Sequence, residues 1–182
     1  WSPTQHCKYL PNWQFIFLYY LQSCTSYRRN NSPQQTMKLV ISLLLPQLAG
    51  FVGSLFTFSA IPTWYATINK PFFSPPNWIF GPVWTILYIL MGIYLYLVWS
   101  KGKRGVALFK FHLVVNALWS ILFFGLRSPI LGLITVVILW ILILAIIKTF
   151  WKIDKLASIL LWPYLAWVSF ASILKLAIFI LN

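Results

Sequence analysis

Five long apolar runs dominate the sequence from Met37 onward. They occupy residues 39–60, 79–100, 107–126, 129–150 and 156–181. At a rise of ~1.5 Å per residue, a helix of about 22 residues reaches roughly 33 Å and crosses a hydrocarbon core about 30 Å thick. Charged residues make up 8% of the chain, whereas soluble domains carry about 25%. The sequence therefore predicts an all-α integral membrane protein.

The connections between these runs limit how the helices can be arranged. Three of them are short and lie at residues 101–106, 127–128 and 152–155. Short loops join helices that lie side by side and run antiparallel. Pro46 and Pro163 fall inside the first and fifth runs, where membrane helices tolerate proline because neighbours satisfy the freed carbonyl. We therefore predict one domain, residues 37–182, folded as a five-helix bundle.

The remaining connection, residues 61–78, is long and rich in proline and aromatic residues. Pro71, Pro75 and Pro76 lack a backbone N–H and push their predecessors out of the helical region. This part of the chain therefore cannot form a regular element, and it leads directly into the second apolar run. We interpret it as a stiff loop that covers a site.

Residues 1–36 differ in composition from the rest of the chain. They contain no acidic residue, and their apolar run at 15–21 is too short to span a membrane. We expect an N-terminal extension that is disordered or that precedes the true start of the protein at Met37. A transit peptide and a lipidation site at Cys24 are the alternatives.

The net charge of +13 results from an almost complete lack of acidic residues, since Asp154 is the one acid in the sequence. A basic chain can bind nucleic acid, but these basic residues lie mostly between apolar runs, which favours a role in topology and lipid contact. Eight of them fall on the N-terminal side of the bundle: Lys38, Lys101, Lys103, Arg104, Lys110, Lys148, Lys152 and Lys155. Lys70 and Arg127 fall on the opposite side. We therefore expect no nucleic-acid partner and a cytoplasmic N-terminus, with the long loop on the other side of the membrane.

Catalytic and metal-binding patterns are missing from the sequence. One aspartate cannot form a carboxylate pair, and Cys7, Cys24 and the two histidines show no metal-ligand spacing. We read Asp154 as the N-cap of the fifth helix. We place His112 at the membrane interface, with a haem-ligand role as the alternative. No cofactor and no catalytic residue are predicted.

Large flat side chains with few polar atoms share faces on three of the predicted helices. The three sets are Trp84 with Tyr88, then Asn116 and Ser120 with Trp119, and then Trp167, Ala171 and Lys175. Such a combination suits a pocket for a flat apolar ligand. Four other tryptophans, Trp78, Trp99, Trp151 and Trp162, lie near span ends, where indoles anchor any membrane protein.

Lys175 lies about five residues inside the predicted end of the fifth helix. A charge inside the membrane is costly, which makes this lysine a candidate site residue. The alternative is that its side chain extends to the nearby interface. The sequence leaves both open.

Several motifs resemble the translocator protein family (TspO/MBR, tryptophan-rich sensory proteins, peripheral benzodiazepine receptors). They are WYATINKP at 64–71, SPPNW at 74–78, GPVWTILY at 81–88, NALWS at 116–120, FFG at 123–125 and PYLAWVSFA at 163–171. The resemblance covers residues 38–182. It implies five transmembrane helices, frequent homodimers and a cavity beneath the first loop that binds porphyrins, sterols and synthetic ligands.

The residues that match the family's pocket are Tyr65, Trp84, Asn116, Trp119, Ser120, Trp167 and Ala171, with Pro75 and Pro76 in the covering loop. The chain departs from the family pattern at Phe73, which we also predict to be a ligand-binding residue; many members carry a tryptophan there, which in some is linked to light-dependent porphyrin breakdown. It also has Lys175 where members carry asparagine. Leu176 and Ile180 stand where the cholesterol-recognition pattern of animal members needs a tyrosine and a basic residue.

These observations together predict a tetrapyrrole-binding membrane protein that acts as a sensor or a carrier. We expect stacking on Trp84, Trp119 and Trp167, orientation by Asn116 and Ser120, and pairing of Lys175 with a porphyrin propionate. A light-dependent porphyrin-degrading enzyme and a membrane scaffold without a ligand are the alternative functions. The expected partners are a porphyrin or another flat apolar ligand, membrane lipid and a second copy of the chain.

Overall fold

The computed structural model of the chain describes residues 33–101, 105–152 and 154–182. The prediction for residues 1–32 lies outside this range. The described helices are α1 (Pro33–Ala60), α2 (Trp64–Thr67), α3 (Asn77–Lys101), α4 (Val106–Ser120), α5 (Pro129–Trp151), α6 (Lys155–Leu160) and α7 (Trp162–Leu181). Five stretches within the described ranges are long and apolar enough to cross a membrane, counting α6 and α7 as one. The prediction of an all-α, five-helix membrane protein is confirmed.

The first helix begins six residues before the predicted start at 39. Residues 33–36 are polar apart from Pro33, so hydrophobicity does not mark them. Proline nevertheless fits the first turn of a helix because its fixed φ is already helical. Few residues of α1 are buried, namely Ser42, Pro46, Gly53 and Ala60. This helix is therefore held at a few close contacts rather than along a broad apolar face.

The third predicted span, residues 107–126, is not uniformly α-helical. Residues Ile121–Gly125 form a π-helical turn after α4, closed by a 2.9 Å hydrogen bond from the Leu126 amide to the Ile121 carbonyl. Such turns insert one extra residue and rotate the side chains that follow. Both Phe123 and Phe124 are buried as a result. Arg127, with φ of 52°, then ends the segment in the left-handed region.

The fifth predicted span divides into two helices at Leu161. Pro163 cannot donate a backbone hydrogen bond, and its ring excludes the normal helical position of the preceding turn. The chain tightens there, with a 3.2 Å bond from the Leu161 amide to the Ser158 carbonyl. It resumes as α7 with a 2.9 Å bond from the Leu165 amide to the Leu161 carbonyl. The two helices therefore form one membrane span whose backbone hydrogen bonding is interrupted at Leu161.

Asp154 begins α6 as predicted. Its Oδ1 accepts a 3.2 Å hydrogen bond from the Ala157 amide, and its Oδ2 lies 2.7 Å from Nζ of Lys101 at the end of α3. The hydrogen bond from Lys101 is the main reason that the pKa of this carboxyl lies below its usual range. The N-cap prediction is confirmed, and the same carboxylate connects α6 to α3.

The long loop is attached to the other end of the bundle at Asn182. The side-chain amide of Asn182 accepts a 2.9 Å bond from the Asn69 amide and donates a 3.0 Å bond to the Asn69 carbonyl. Asn69 in turn donates a 3.3 Å bond to the carbonyl of Leu181. These three bonds fix the middle of the loop to the C-terminal end of α7.

Candidate ligand-binding cavity

A cavity of about 510 Å³ lies between α1, α3, α4 and α7, next to the loop that contains α2. Its walls are Gln47, Gly50, Phe51, Ser54, Thr57, Phe58 and Ile61 from the α1 side, Tyr65, and Asn77, Trp78, Phe80, Gly81, Trp84, Thr85 and Tyr88 from α3. Trp119, Ser120 and Phe124 come from α4 and its π-turn, and Trp167, Ala171, Leu174 and Lys175 come from α7. Cavities of 300–1,000 Å³ with mostly apolar walls are typical of small-molecule sites.

Aromatic rings form much of this wall. The indoles of Trp84 and Trp119 stack with centroids 5.9 Å apart and an angle of 29°. The ring of Phe123 lies parallel to Trp119 at 6.0 Å, and Trp167 meets Phe80 edge-on, also at 6.0 Å. Flat rings in stacked and edge-on pairs hold their neighbours in fixed orientations. The wall therefore offers preformed planar surfaces to a planar ligand.

The side chain of Lys175 lies among these rings and is 4% exposed. Its Nζ is 3.1 Å from the ring centroid of Phe123, 5.3 Å from that of Trp119 and 5.5 Å from those of Tyr65 and Phe124. A cation is attracted to the face of an aromatic ring. The lysine is thus held within the bundle, and the alternative in which it extends to the interface is wrong.

No carboxylate faces Lys175. Asp154 is the one acidic residue of the sequence, and it is bonded to Lys101. The buried indole Nε1 of Trp119, another residue of the cavity wall, also has no hydrogen-bond partner among the described residues. A buried donor without an acceptor is unfavourable unless a ligand or water supplies one. The cavity wall therefore contains a buried lysine without a carboxylate partner, and the buried indole N–H of Trp119 beside it has no acceptor among the described residues.

Comparison with known proteins identifies the family. A profile of the TspO/MBR family matches residues 42–181. The chain belongs to the TspO/MBR family. It is 49% identical to the tryptophan-rich protein TspO of Archaeoglobus fulgidus over 80% of this chain and 97% of that protein. It is 44% identical to the protein of the same name from Chlorobaculum tepidum over 82% of this chain and 98% of that protein. It is 36% identical to the human translocator protein over 72% of this chain and 82% of that protein.

The structure of this TspO/MBR protein brings together most of the residues predicted for the site. Those that line the cavity are Tyr65, Trp84, Tyr88, Trp119, Ser120, Trp167, Ala171 and Lys175. Their helices are far apart in sequence, and the bundle places their predicted faces toward one space.

Four predicted residues do not line this cavity. Phe73 packs against Phe170 in the middle of α7, with ring centroids 6.5 Å apart, and Pro75 and Pro76 lie farther along the loop. Asn116 is 1% exposed and lies behind the wall, where its side-chain oxygen accepts a 2.7 Å bond from the hydroxyl of Tyr88. The loop contributes to the wall through its two ends, Ile61 with Tyr65 and Asn77 with Trp78, rather than through its prolines.

Sequence reasoning missed the whole α1 side of the cavity. Its lining residues recur at three- and four-residue steps, beginning with Gln47, Gly50, Phe51 and Ser54. That spacing of small and polar residues within an apolar run is the signal that could have identified the face. A Cβ at Gly50 would overlap the ring of Tyr88, so this glycine allows the two helices their close approach.

Two further assignments can be compared with the structure. Trp78, expected in the interfacial belt, is 73% exposed and also borders the cavity, so it lies at the cavity's edge. His112 was expected at the interface, yet it is 1% exposed, and its Nε2 is 2.9 Å from the hydroxyl of Tyr164. A histidine so early in α4 is buried because α4 packs closely against α5 and because the ring of Tyr164 from α7 contacts it.

Tyr65 connects the loop to the cavity. It is 2% exposed and its ring contacts Phe124 at 5.7 Å, while Nζ of Lys70 lies 4.5 Å from the ring centroid. Burial raises the pKa of its phenol above the ordinary value, and a hydrogen bond with Ser74 acts in the opposite direction. The neutral phenol is therefore the form present around neutral pH.

Proposed function

We propose that this protein binds a flat, apolar, anionic ligand of the tetrapyrrole class in the cavity, as a membrane sensor or carrier. The observation that carries the proposal is Lys175, a buried lysine without a carboxylate partner at the wall of an indole-lined cavity. A ligand that brings its own carboxylate would supply the missing counter-charge. Its ring system would occupy the space between the indoles.

The aromatic wall supports a planar ligand in particular. Stacked or edge-on aromatic pairs contribute about 0.5–1.5 kcal/mol each beyond the burial of apolar area. Trp84, Trp119 and Trp167 could each make one such contact because all three line the cavity. The hydroxyl of Ser120 is a nearby group that could orient polar atoms of the ligand.

The names of related proteins agree with this kind of role. One relative from Cereibacter sphaeroides, 35% identical over 60% of this chain, is named a tryptophan-rich sensory protein, and the human relative is named a translocator protein. Sensing and translocation both require a ligand that enters and leaves. A site with one charged contact and several stacking contacts is suited to reversible binding.

Titration of the purified, detergent-solubilised protein with protoporphyrin tests the proposal. Binding should quench tryptophan fluorescence saturably, and Trp167→Ala should weaken it strongly because that indole lines the cavity. Trp162→Ala is the matched control, since Trp162 begins the same helix but is 51% exposed and outside the cavity. Quenching that does not saturate, or that falls equally in both variants, would favour a scaffold without a ligand.

We also propose that residues 37–182 form the membrane unit and that its N-terminus is cytoplasmic. Support comes from the eight basic residues on one side of the bundle against Lys70 and Arg127 on the other. In a variant without Cys7 and Cys24, a cysteine introduced at Phe72, which is fully exposed in the loop, reports on the topology. An impermeant thiol reagent should label it from outside intact cells, and labelling only after lysis would reverse the orientation.

A further inference from the structure

A buried chain of hydrogen bonds leads away from the cavity at Tyr88. The Tyr88 hydroxyl donates a 2.7 Å bond to Oδ1 of Asn116, whose Nδ2 donates a 2.9 Å bond to the Tyr164 hydroxyl. That hydroxyl lies 2.9 Å from Nε2 of His112. Asn116, Tyr164 and His112 are each at most 1% exposed. Tyr88 is thus the one member of this chain that lines the cavity.

The direction of this chain follows from the orientation of the Asn116 side-chain amide, whose oxygen faces Tyr88 and whose nitrogen faces Tyr164. The Tyr88 proton is used on Asn116, and the hydroxyl oxygen of Tyr164 is occupied by the amide of Asn116. The proton of Tyr164 then has one neighbour, Nε2 of His112, which must accept it. His112 is therefore neutral with its proton on Nδ1. No donor opposes this tautomer, because no N–H or O–H group of the described residues bonds to Nδ1.

This direction has a consequence for the cavity wall. A hydroxyl that has donated its proton can only accept further hydrogen bonds. A bound molecule that reaches the hydroxyl oxygen of Tyr88 therefore meets lone pairs and no proton. The opposite direction would need the Asn116 amide reversed and a proton on Nε2 of His112, and Tyr88 would then donate.

We propose that this chain of hydrogen bonds makes the Tyr88 hydroxyl an acceptor, so that the cavity prefers ligands with a hydroxyl or N–H group at their rim. His112 is the positioning residue that holds this polarity from outside the cavity, as the terminal acceptor of the chain. The inference rests on the proposed function and adds a second polar contact to it: an anionic group pairs with Lys175, and a rim donor, where the ligand has one, bonds to Tyr88. A closed porphyrin has its N–H groups at the centre of the ring, so it binds without using Tyr88.

A pair of flat probes of nearly equal shape tests the polarity. 1-Hydroxypyrene has a donor, and 1-methoxypyrene has none; energy transfer from tryptophan reports their binding, corrected for partition into empty micelles. One neutral hydrogen bond corresponds to about two- to twelvefold in affinity. We expect the wild-type protein to bind the hydroxyl probe more tightly by that factor, and Tyr88→Phe to remove the preference. A ratio of one or below in the wild type overturns the proposal.

Variants on α4 distinguish an effect of the hydrogen-bond chain on the probe preference from an effect of side-chain packing. In His112→Leu the proton of Tyr164 loses its acceptor and turns to Asn116, so the preference for the hydroxyl probe should disappear or invert. Phe109→Leu is the matched control, because Phe109 is fully buried with its ring 5.5 Å from that of His112 but outside the hydrogen-bond chain. It should keep the wild-type ratio. A preference that survives in His112→Leu, or that is lost equally in both variants, overturns the role of His112.

A measurement without ligand covers the case in which His112→Leu fails to fold. His6 and His112 are the two histidines of the sequence, so a His6→Gln protein with ¹⁵N-labelled histidine gives the signal of His112 alone. We expect a neutral ring protonated on Nδ1, and protonation on Nε2 overturns the proposal. Protoporphyrin titrations of the same samples distinguish the two claims. Lost porphyrin binding with a retained probe ratio refutes the proposed function, whereas retained porphyrin binding with no probe preference refutes this inference.

Discussion

Replacement of Lys175 by methionine should change ligand binding and protein stability in opposite directions. Methionine keeps the length of the side chain and its contacts with aromatic rings, and it removes the charge. In the protein without ligand, the four surrounding rings accept the thioether, and no carboxylate loses its partner. Because replacing a buried charge with an apolar group is often neutral or stabilising, the melting temperature should stay the same or rise.

Binding of an anionic ligand should respond in the other direction. A hydrogen bond to a charged group contributes about 1.5–3 kcal/mol, and each 1.4 kcal/mol corresponds to about tenfold in affinity. Lys175→Met should therefore weaken protoporphyrin by about ten- to 150-fold. Protoporphyrin dimethyl ester has the same ring without free carboxylates, so its affinity should change by less than about threefold on the same scale.

Fluorescence titration gives the affinities of the diacid and the diester for the wild type and for Lys175→Met. The diacid-to-diester affinity ratio is then compared between the two proteins, so that partition of each ligand into detergent cancels. Lys70→Met is the control, because it removes an equal charge from the loop near Tyr65 and lies outside the cavity wall. Equal weakening of the diacid and the diester would refute pairing of Lys175 with a carboxylate. A large fall in melting temperature would refute the view that the lysine is held there at a cost to the fold.

Three further predictions concern packing, charge and the loop. Gly92→Ala should destabilise the protein by about 1–3 kcal/mol, because a Cβ there would lie 2.9 Å from a backbone atom of α1. Gly81→Ala is the control and should be neutral or stabilising, because a Cβ there meets nothing within 4 Å. Thermal melts compare the two variants, and equal effects would contradict the reasoning. The pKa of Asp154 is lowered in the folded state by Lys101, so its contribution to stability is present above the unfolded pKa of about 4 and is lost as the pH falls through the folded pKa. Asp154→Asn, which keeps an N-cap, should remove this dependence, and melting temperatures from pH 7 down to 3 that fall equally in both proteins would exclude it. Asn182→Ala removes two hydrogen bonds to the backbone of Asn69. Amide hydrogen exchange in the loop should therefore accelerate, while the transmembrane helices keep their protection. Unchanged exchange in the loop would show that other contacts hold the loop in place.

Much of the binding site could be predicted from helical spacing once the spans were placed. Trp84 and Tyr88, like Trp167 and Ala171, lie one helical turn apart, so any helix brings each pair to one face. What spacing does not show is how far a polar side chain lies from the cavity. Asn116 shares a face with Ser120, yet its side-chain oxygen and nitrogen bond to the hydroxyls of Tyr88 and Tyr164, because α7 brings a hydroxyl within 2.9 Å of the nitrogen.

The α1 face was harder to predict for a related reason. In a soluble protein the polar side of a helix points to water and so reveals the buried side. In a membrane the lipid-facing side is as apolar as the core, so hydrophobic periodicity does not distinguish the two. Exposed Phe51 and Phe58 border the cavity while buried Ser42 does not, which is the reverse of the pattern in a soluble protein.

The sequence by itself determined the five membrane spans, the TspO/MBR family, the N-cap at Asp154 and the indoles that face a common space. These properties follow from span length, local hydrogen bonding and helical spacing, which act over a few residues or one helix at a time. The tertiary structure alone decided the aromatic surroundings of Lys175, the π-turn that buries Phe124 beside it, and the chain that ends at His112. Each of these depends on atoms from helices distant in sequence that meet within about 3–6 Å. In a membrane the lipid-facing and core-facing sides of a helix are equally apolar, so the sequence does not indicate which helices will meet.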